Sequence, residues 1–259
     1  MAYLGVGWDV GGWCGSKQAV AVVSWQEGES ELSWLGLSVP FSLSRRVPLS
    51  LSGLLAPALG HSFGLPRAER VSLAIDAPLA FPRAFHGLLQ GTLATEQVPE
   101  DEMANPYAYR DCERWLHEQY GKKPMSASFD KLGNNATLAI TLTALLQQQG
   151  FSLLPQQQET AELAMLEAYP AMMKQQFRST APATAAFSPL LPAELQPGND
   201  SYDAALCALM ALAHASEGRC SLLPPLVMPP AGLPRDEGWI YHFEPEAALR
   251  RPPLNNSAP

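Results

Sequence analysis

Two apolar runs of the chain share one pattern, in which a continuous apolar stretch ends at a single aspartate. The first run spans residues 3–12 and carries Asp9, and the second spans residues 71–78 and carries Asp76. Apolar residues that do not alternate with polar ones are typical of strands that are covered on both faces. We expect these two strands to lie side by side at the centre of a sheet. Both aspartates would then meet at the carboxyl ends of the strands, where open α/β sheets bind their ligands.

The stretch between these two runs predicts a meander followed by a helix. Residues 19–26 and 31–38 are strand-like and are separated by polar and glycine-containing sequence, which favours antiparallel pairing. Residues 51–59 predict a short helix that ends near Gly60. The first third of the chain therefore predicts three meandering strands, a helical crossover and a buried fourth strand.

The later part of the chain predicts further helices and one ambiguous segment. Helices are predicted over residues 108–120, 137–149 and 200–216, and a short extended piece over residues 238–243. The composition of residues 159–169, rich in Ala, Glu, Leu and Met, favours a helix. As a strand the same segment would place Leu163, Met165 and Glu167 on one face. Both alternatives stay open from the residues alone.

The same pattern indicates how the chain is organised into domains. We interpret residues 1–251 as a single domain in which about residues 79–133 form an insertion or lid over the sheet. In the predicted helix of that insertion, Glu113 lies four residues before His117, which ordinary pairing on a helix surface explains. Residues 252–259 are expected to be a disordered tail.

Composition limits the classes of function. With 47% hydrophobic and 16% charged residues, the 259-residue chain can bury a sizeable core. Its net charge of −8 argues against extended, non-specific binding of duplex nucleic acid, although a local basic patch remains compatible with it. No apolar run reaches the roughly 18 residues of a membrane span, and we expect no signal peptide. We therefore expect a cytoplasmic protein without a membrane partner.

The carboxylates are the residues that indicate chemistry. Each strand-end aspartate alone also fits a turn residue that bonds its own backbone, but two on neighbouring strands repel each other unless a proton or a metal intervenes. Asp203 lies on the buried face of the last helix, where proximity to the positive end of the helix dipole is the alternative explanation. Glu167, if it ends a strand, is a third candidate ligand and Asp203 a fourth.

Carboxylates without histidine or cysteine ligands suit a hard cation, Mg²⁺ or Mn²⁺. The four cysteines form no CxxC pair, and the five histidines show no metal-binding spacing. Two such ions about 4 Å apart can clamp the attacking and leaving oxygens of a phosphodiester.

At these residues the sequence resembles the domain of unknown function 429 family, whose members are predicted nucleases with a ribonuclease H-like fold. The similar pieces follow the order of the family and cover most of the chain. They are GWDVGGW (7–13), AIDAPLAFP (74–82), YRDCERWL (109–116), LEAYP (166–170), DSYDAALCALMA (200–211) and EGWIYHF (237–243).

The resemblance implies an α/β fold with a mixed five-stranded sheet, in the order 3-2-1-4-5, with strand 2 antiparallel and helices on both faces. It implies that Asp9, Asp76, Glu167 and Asp203 are the catalytic and metal-binding residues, and that Glu167 follows a strand. Arg110 matches a basic position of the family and is expected to bind substrate. The implied activity is that of a metal-dependent nuclease or phosphodiesterase, and the acidic balance suggests a short or structured nucleic acid as the partner.

Two other classes of function remain open. An actin-like nucleotide-binding phosphotransferase has a similar fold and a first strand that ends in an aspartate followed by glycines, but it predicts a second, duplicated domain. A non-catalytic binding or scaffold protein on a ribonuclease H-like shell predicts an acidic cluster that never binds divalent cations. The sequence does not determine the oligomeric state.

Overall fold

A single mixed β-sheet organises the chain in the computed structural model, which describes residues 1–60, 67–157, 160–174 and 186–244. The sheet has the order β3-β2-β1-β4-β6-β5, and β7 pairs with β6. Only the β1–β2 and β2–β3 pairs are antiparallel. The strands are β1 (Ala2–Asp9), β2 (Ala19–Gln26), β3 (Ser33–Leu37), β4 (Arg70–Asp76), β5 (Ser152–Leu153), β6 (Leu163–Ala168) and β7 (Ile240–Tyr241).

Helices cover both faces of this sheet. One core combines side chains of α5 and α3 with Tyr3 and Ala74, and the other combines side chains of α1 and α4 with Val6 and Leu73. The chain is therefore a three-layer α/β structure, and the prediction of that class is confirmed. The helices are α1 (Leu51–Leu59), α2 (Arg83–Leu89), α3 (Asp111–Tyr120), α4 (Gly133–Gln147) and α5 (Asp200–Ala215).

The predicted centre of the sheet is confirmed, and its far edge has more strands than predicted. β1 and β4 are parallel neighbours, and β2 is antiparallel to β1. β6 lies in the position expected for the fifth strand, but β5 and β7 both pair with it as well. Each of these two strands is only two residues long, too short for period-2 alternation to reveal its pairing.

The helical propensity of residues 159–169 gives the wrong structure, because Leu163–Ala168 forms strand β6. This segment is buried between β4 on one side and β5 and β7 on the other, and sheet pairing overrides the modest helical preference of its residues. Two predicted helix boundaries also shift. α4 begins at Gly133 rather than residue 137, and α3 begins at Asp111 rather than residue 108. The expected tail, residues 252–259, lies outside the described residues.

The predicted insertion, residues 79–133, contains α2 and α3. Both helices follow β4, so they begin from the carboxyl-terminal edge of the sheet. Within the part of the chain that the structure describes, no helix is both long enough and apolar enough to cross a membrane.

Helix α5 lies unusually close to the central strand β1. Side chains added at Gly5 or Gly7 would clash with the α5 backbone, at the carbonyl oxygens of Ala208 and Ala204 respectively. The two glycines therefore let the helix backbone approach β1 directly. Since Asp203 precedes Ala204, this contact places the first turn of α5 over the end of β1.

We predict that Gly7→Ala strongly destabilises the protein, because the added methyl group has to push α5 away from β1. Overpacking of this kind costs typically about 1–3 kcal/mol and sometimes more. Urea unfolding monitored by circular dichroism measures the loss.

Gly87→Ala is the matched control, because an added methyl group there meets Thr92 only at an ordinary contact distance of 3.5 Å. It lies within α2, where alanine is the better helix former. Equal unfolding midpoints for the two variants would contradict the close approach of α5.

Candidate functional site

Asp9 and Asp76 lie next to each other at the carboxyl ends of the two central strands. The parallel pairing of β1 and β4 runs from Tyr3–Arg70 to Asp9–Asp76, so the two aspartates are direct register partners. Neighbouring strands are about 4.8 Å apart. The strand pairing that the sequence predicts for these two carboxylates is therefore present.

Asp203 reaches the same region from the first turn of α5. Its Oδ2 atom forms an ion pair with the ammonium group of Lys174. Its Oδ1 atom is buried and has no hydrogen-bond partner among the described residues. A buried polar atom without a hydrogen-bond partner is unfavourable. The alternative explanation, a favourable position of Asp203 near the helix dipole, does not account for this oxygen.

Burial and neighbouring negative charges raise the pKa values of all three aspartates. Burial, followed by the negative charges of Asp203 and Asp200, raises the pKa of Asp9 from 3.8 to about 7. Burial, followed by repulsion from Asp9 and Asp203, raises the pKa of Asp76 well above its ordinary value. Burial also raises the pKa of Asp203, although Lys174 opposes this shift. A cluster of this kind is stabilised by bound protons or by a cation.

Glu167 lies near the end of β6 as the resemblance implies, but its charge is already compensated. Arg110 donates to both carboxylate oxygens, with distances of 2.7 Å from Nη1 to Oε2 and 2.6 Å from Nη2 to Oε1. The backbone N–H of Leu79 donates to Oε2 at 2.8 Å. The geometry is that of a bidentate buried ion pair, which fixes the orientation of the carboxylate.

Arg110 is fully buried, and all five of its guanidinium N–H donors are engaged. Besides Glu167 they contact Glu113 Oε1 and the carbonyl oxygen of Glu237. Contact between Arg110 and substrate stays a prediction, and it requires at least one of these bonds to break. In the geometry described here, Arg110 positions Glu167.

The interpretation of Glu113 as half of a surface pair with His117 is wrong. Only 1% of Glu113 is exposed, and its carboxylate binds the guanidinium and the backbone N–H of Arg110. The sequence spacing of Glu113 and His117 on α3 is compatible with pairing, but the helix turns Glu113 towards β6. Burial depends on what packs on the helix, which helical spacing alone does not reveal.

Glu237 is a structural residue of the site that the sequence analysis did not identify. Its Oε1 atom accepts the backbone N–H of Arg83 at 2.6 Å, and its Oε2 atom accepts that of Asp111 at 2.9 Å. These N–H groups belong to the first residues of α2 and α3, where backbone donors lack helical partners. One buried carboxylate therefore ties both helices of the insertion to the segment that leads into β7. Its occurrence in the EGWIYHF motif is the only sequence signal for this role.

The loop that follows Asp9 is held by two amide side chains. Gln18 is fully buried, and its Oε1 atom accepts Trp8 Nε1–H at 2.9 Å and Gly11 N–H at 3.1 Å, while its Nε2 atom donates to Gly12 O at 2.7 Å. Asn135 on α4 donates to the carbonyl oxygen of Val10. These bonds fix the backbone on the carboxyl side of Asp9.

A cavity of about 250 Å³ opens where these elements meet. Asp9, Asp76 and Glu167 all line it, together with Arg110, Asn135 and Tyr169. Burial raises the pKa of Tyr169 to about 12, and the negative charge of Asp76 adds to this shift, so the phenol keeps its proton near neutral pH. Three of the four predicted acidic residues therefore share one cavity, whereas Asp203, which pairs with Lys174, is not among the residues that line it.

The oxygen ligands of these side chains are of the kind that a hard cation prefers, but the side chains do not surround a single ion position. Among the described residues no three His, Cys, Asp or Glu side chains converge closely enough to enclose a metal ion. The donors available are carboxylate oxygens, which Mg²⁺ and Mn²⁺ prefer. The ammonium group of Lys174 already binds Asp203, and the buried Oδ1 atom of Asp203 still lacks a partner. The cluster thus carries uncompensated negative charge and one carboxylate oxygen without a hydrogen-bond partner among the described residues.

Comparison with family models, with curated proteins and with solved structures gives no match. The assignment of a function therefore depends on the geometry described above.

We predict that Arg110→Ala destabilises the protein by about 3–5 kcal/mol, because it leaves Glu113 and Glu167 buried without their cation. The free energy of unfolding in urea measures the effect. The matched control is Arg83→Ala, which removes an exposed arginine with ion pairs to Asp111 and Asp236. Exposed pairs contribute about 0–1 kcal/mol, so a comparable loss in both variants would contradict the structural role of Arg110.

We predict that the free energy of unfolding of the metal-free protein falls as the pH rises from 3.8 towards about 7, the interval over which Asp9 binds protons more tightly when folded. Asp76→Asn removes one of the repelling charges, so this variant should be more stable than the wild type near pH 8, by on the order of 1–3 kcal/mol. Urea titrations in EDTA at several pH values measure how the free energy of unfolding depends on pH in the wild type and in Asp76→Asn.

The control for this experiment is Asp101→Asn, which changes an exposed aspartate in the insertion. It should keep the pH dependence of the wild type. Parallel stability curves for the wild type and Asp76→Asn would show that the strand-end carboxylates do not repel each other in the folded protein.

Proposed function

We propose that the protein is a divalent-metal-dependent nuclease or related phosphodiesterase on a ribonuclease H-like fold. The observation that carries this proposal is the register match of Asp9 and Asp76 at the ends of adjacent central strands, with Asp203 beside them. The order β3-β2-β1-β4 with antiparallel β2 supports the fold assignment. Partly buried carboxylates that repel one another are unfavourable for stability, so a function that uses them explains their presence.

In this proposal Asp9, Asp76 and Asp203 are the principal ligands of Mg²⁺ or Mn²⁺. Glu167 lines the same cavity and completes the acidic set, but its oxygens already accept bonds from Arg110 and from the backbone of Leu79. A bound ion of this type supplies an activated water and stabilises charge on the phosphoryl oxygens.

The remaining residues of the site prepare the cavity for a substrate phosphate. Arg110 and Glu113 hold Glu167 in one orientation, so this wall does not have to reorganise when substrate binds. Tyr169 keeps its proton and offers a hydroxyl group to a phosphate oxygen. Lys174 balances Asp203 and competes with an incoming cation for the Oδ2 atom of that carboxylate.

The size and charge of the site favour a short or structured nucleic acid as substrate. The cavity of about 250 Å³ accommodates one phosphodiester with part of a neighbouring group. The net charge of −8 provides no continuous basic surface along which a long duplex could bind. Binding energy must therefore come from a few local contacts.

No observation in the described part of the chain favours the actin-like alternative. That fold requires a duplicated second domain, whereas the described strands form one seven-stranded sheet. The scaffold alternative makes the acidic cluster incidental, and it gives no reason for the aligned, mutually repelling aspartates.

We predict that the purified protein, supplied with Mn²⁺, hydrolyses labelled single-stranded or hairpin oligonucleotides. Asp9→Asn and Asp76→Asn should each lower the rate at least about a hundredfold, because both remove a charge that holds the ion. Product formation on denaturing gels measures the rates, and circular dichroism verifies that the variants fold.

Asp101→Asn is the matched control and should retain the wild-type rate, because this carboxylate is exposed and its bond among the described residues is to the backbone N–H of Ala104. A folded Asp76→Asn protein with full activity would refute the proposed role of the strand-end carboxylates. EDTA should abolish the activity of the wild type, and added Mn²⁺ should restore it.

A further inference from the structure

A second cavity lies beside the loop that follows Asp9, and an exposed indole forms part of its wall. Its volume is about 230 Å³, and the residues lining it include Trp13, Leu43, Arg45, Val47 and Ser50. Pockets that enclose drug-sized molecules are larger, at roughly 300–1,000 Å³. The space suits a single ring system and one attached group.

Trp13 is hydrogen-bonded at both of its N–H groups and yet remains accessible. Its backbone N–H donates to Asn134 Oδ1 at 3.3 Å, and its indole N–H donates to Thr137 Oγ1 at 3.2 Å. Even so, 44% of Trp13 and 56% of Val47 are exposed. Since both N–H donors of Trp13 are engaged, the ring face is what this residue offers to a ligand. A ring that is already fixed loses little conformational freedom when a ligand stacks on it.

The charge of this cavity is opposite to that of its neighbour. Arg45 contributes an exposed guanidinium group to the lining, and none of the described lining residues is acidic. The neighbouring cavity is lined by Asp9, Asp76 and Glu167, and the whole chain has a net charge of −8. A flat ring with a negatively charged group matches the Trp13 cavity.

The first turn of α4 connects the two cavities. Asn135 lines the cavity with Asp9 and binds the carbonyl oxygen of Val10, while the preceding residue, Asn134, binds the backbone of Trp13. Consecutive Cα atoms are 3.8 Å apart. The residues that border the two cavities are therefore linked through the first turn of α4.

We propose that the Trp13 cavity binds a nucleobase of single-stranded nucleic acid, with the base stacked on the indole and an adjacent phosphate paired with Arg45. This inference rests on the proposed function and specifies its substrate as single-stranded next to the scissile phosphodiester. Stacking on an aromatic ring accepts any base, so the subsite contributes affinity without strong sequence preference. A duplex keeps its bases stacked on one another and cannot use the indole.

Fluorescence anisotropy with a short fluorescein-labelled single-stranded oligonucleotide, in EDTA to prevent cleavage, tests the proposal. Trp13→Ala should weaken binding about tenfold, the order expected for one stacked base, whereas Trp13→Phe should bind nearly as well as the wild type. Leu89→Ala removes another exposed apolar side chain, on α2, and should have no effect. The same sequence as a duplex should bind more weakly.

The second arm of the test uses charge, and it decides the question even if Trp13→Ala folds poorly. Arg45→Gln should reduce the slope of log affinity against log salt concentration by about one, the change expected when one phosphate contact is lost. Arg46→Gln is the matched control, because Arg46 is also exposed but does not line the cavity. Its slope should equal that of the wild type.

Equal affinities of the wild type and Trp13→Ala, or equal slopes for Arg45→Gln and Arg46→Gln, would overturn the inference. So would a wild-type protein that binds no oligonucleotide. Because the binding assay contains no metal, it is independent of cleavage. Trp13-dependent binding without Mn²⁺-dependent hydrolysis would contradict the proposed function and leave this subsite supported.

Discussion

The close approach of α5 to the glycine positions of β1 determines where the acidic residues meet. Gly5 and Gly7 leave no side chain between the strand and the helix backbone at Ala204 and Ala208. The first turn of α5 consequently lies over the end of β1, and Asp203 reaches the region in which Asp9 and Asp76 are already register partners. The apolar core on that face therefore serves as the support of the site as well as a source of stability.

Two groups of carboxylates lie at this end of the sheet, one buried and one partly buried, and they differ in how their charge is balanced. Glu113 and Glu167 share the guanidinium of Arg110, and each accepts further backbone hydrogen bonds. Asp9 and Asp76 repel each other and Asp203, and burial raises the pKa values of all three. The charges of the first group are balanced without a ligand, whereas a cluster like the second is stabilised by bound protons or by an added cation. In the proposed function the first group therefore positions the site and the second provides its chemistry.

The sequence predicts the centre of the fold well because long apolar runs indicate buried strands without ambiguity. β1, β2 and β4 and the meeting of Asp9 with Asp76 follow from that pattern. The strand β6 could not be derived from composition, since its residues prefer a helix and only its neighbours in the sheet make it extended. The burial of Glu113, the ion pair of Lys174 and the two helix N-termini joined by Glu237 depend on contacts between distant segments. Local patterns do not encode such contacts.

Calorimetric titration of Mn²⁺ into the metal-free protein, beside Asp9→Asn and Asp76→Asn, shows whether the strand-end aspartates bind a divalent cation. It measures the affinity of the strand-end carboxylates for a cation and does not require the substrate to be known. We expect saturable binding to the wild type that both substitutions abolish while the fold is retained. Binding that persists unchanged in both variants would contradict the proposed metal site, because the ion would then be bound by residues other than Asp9 and Asp76.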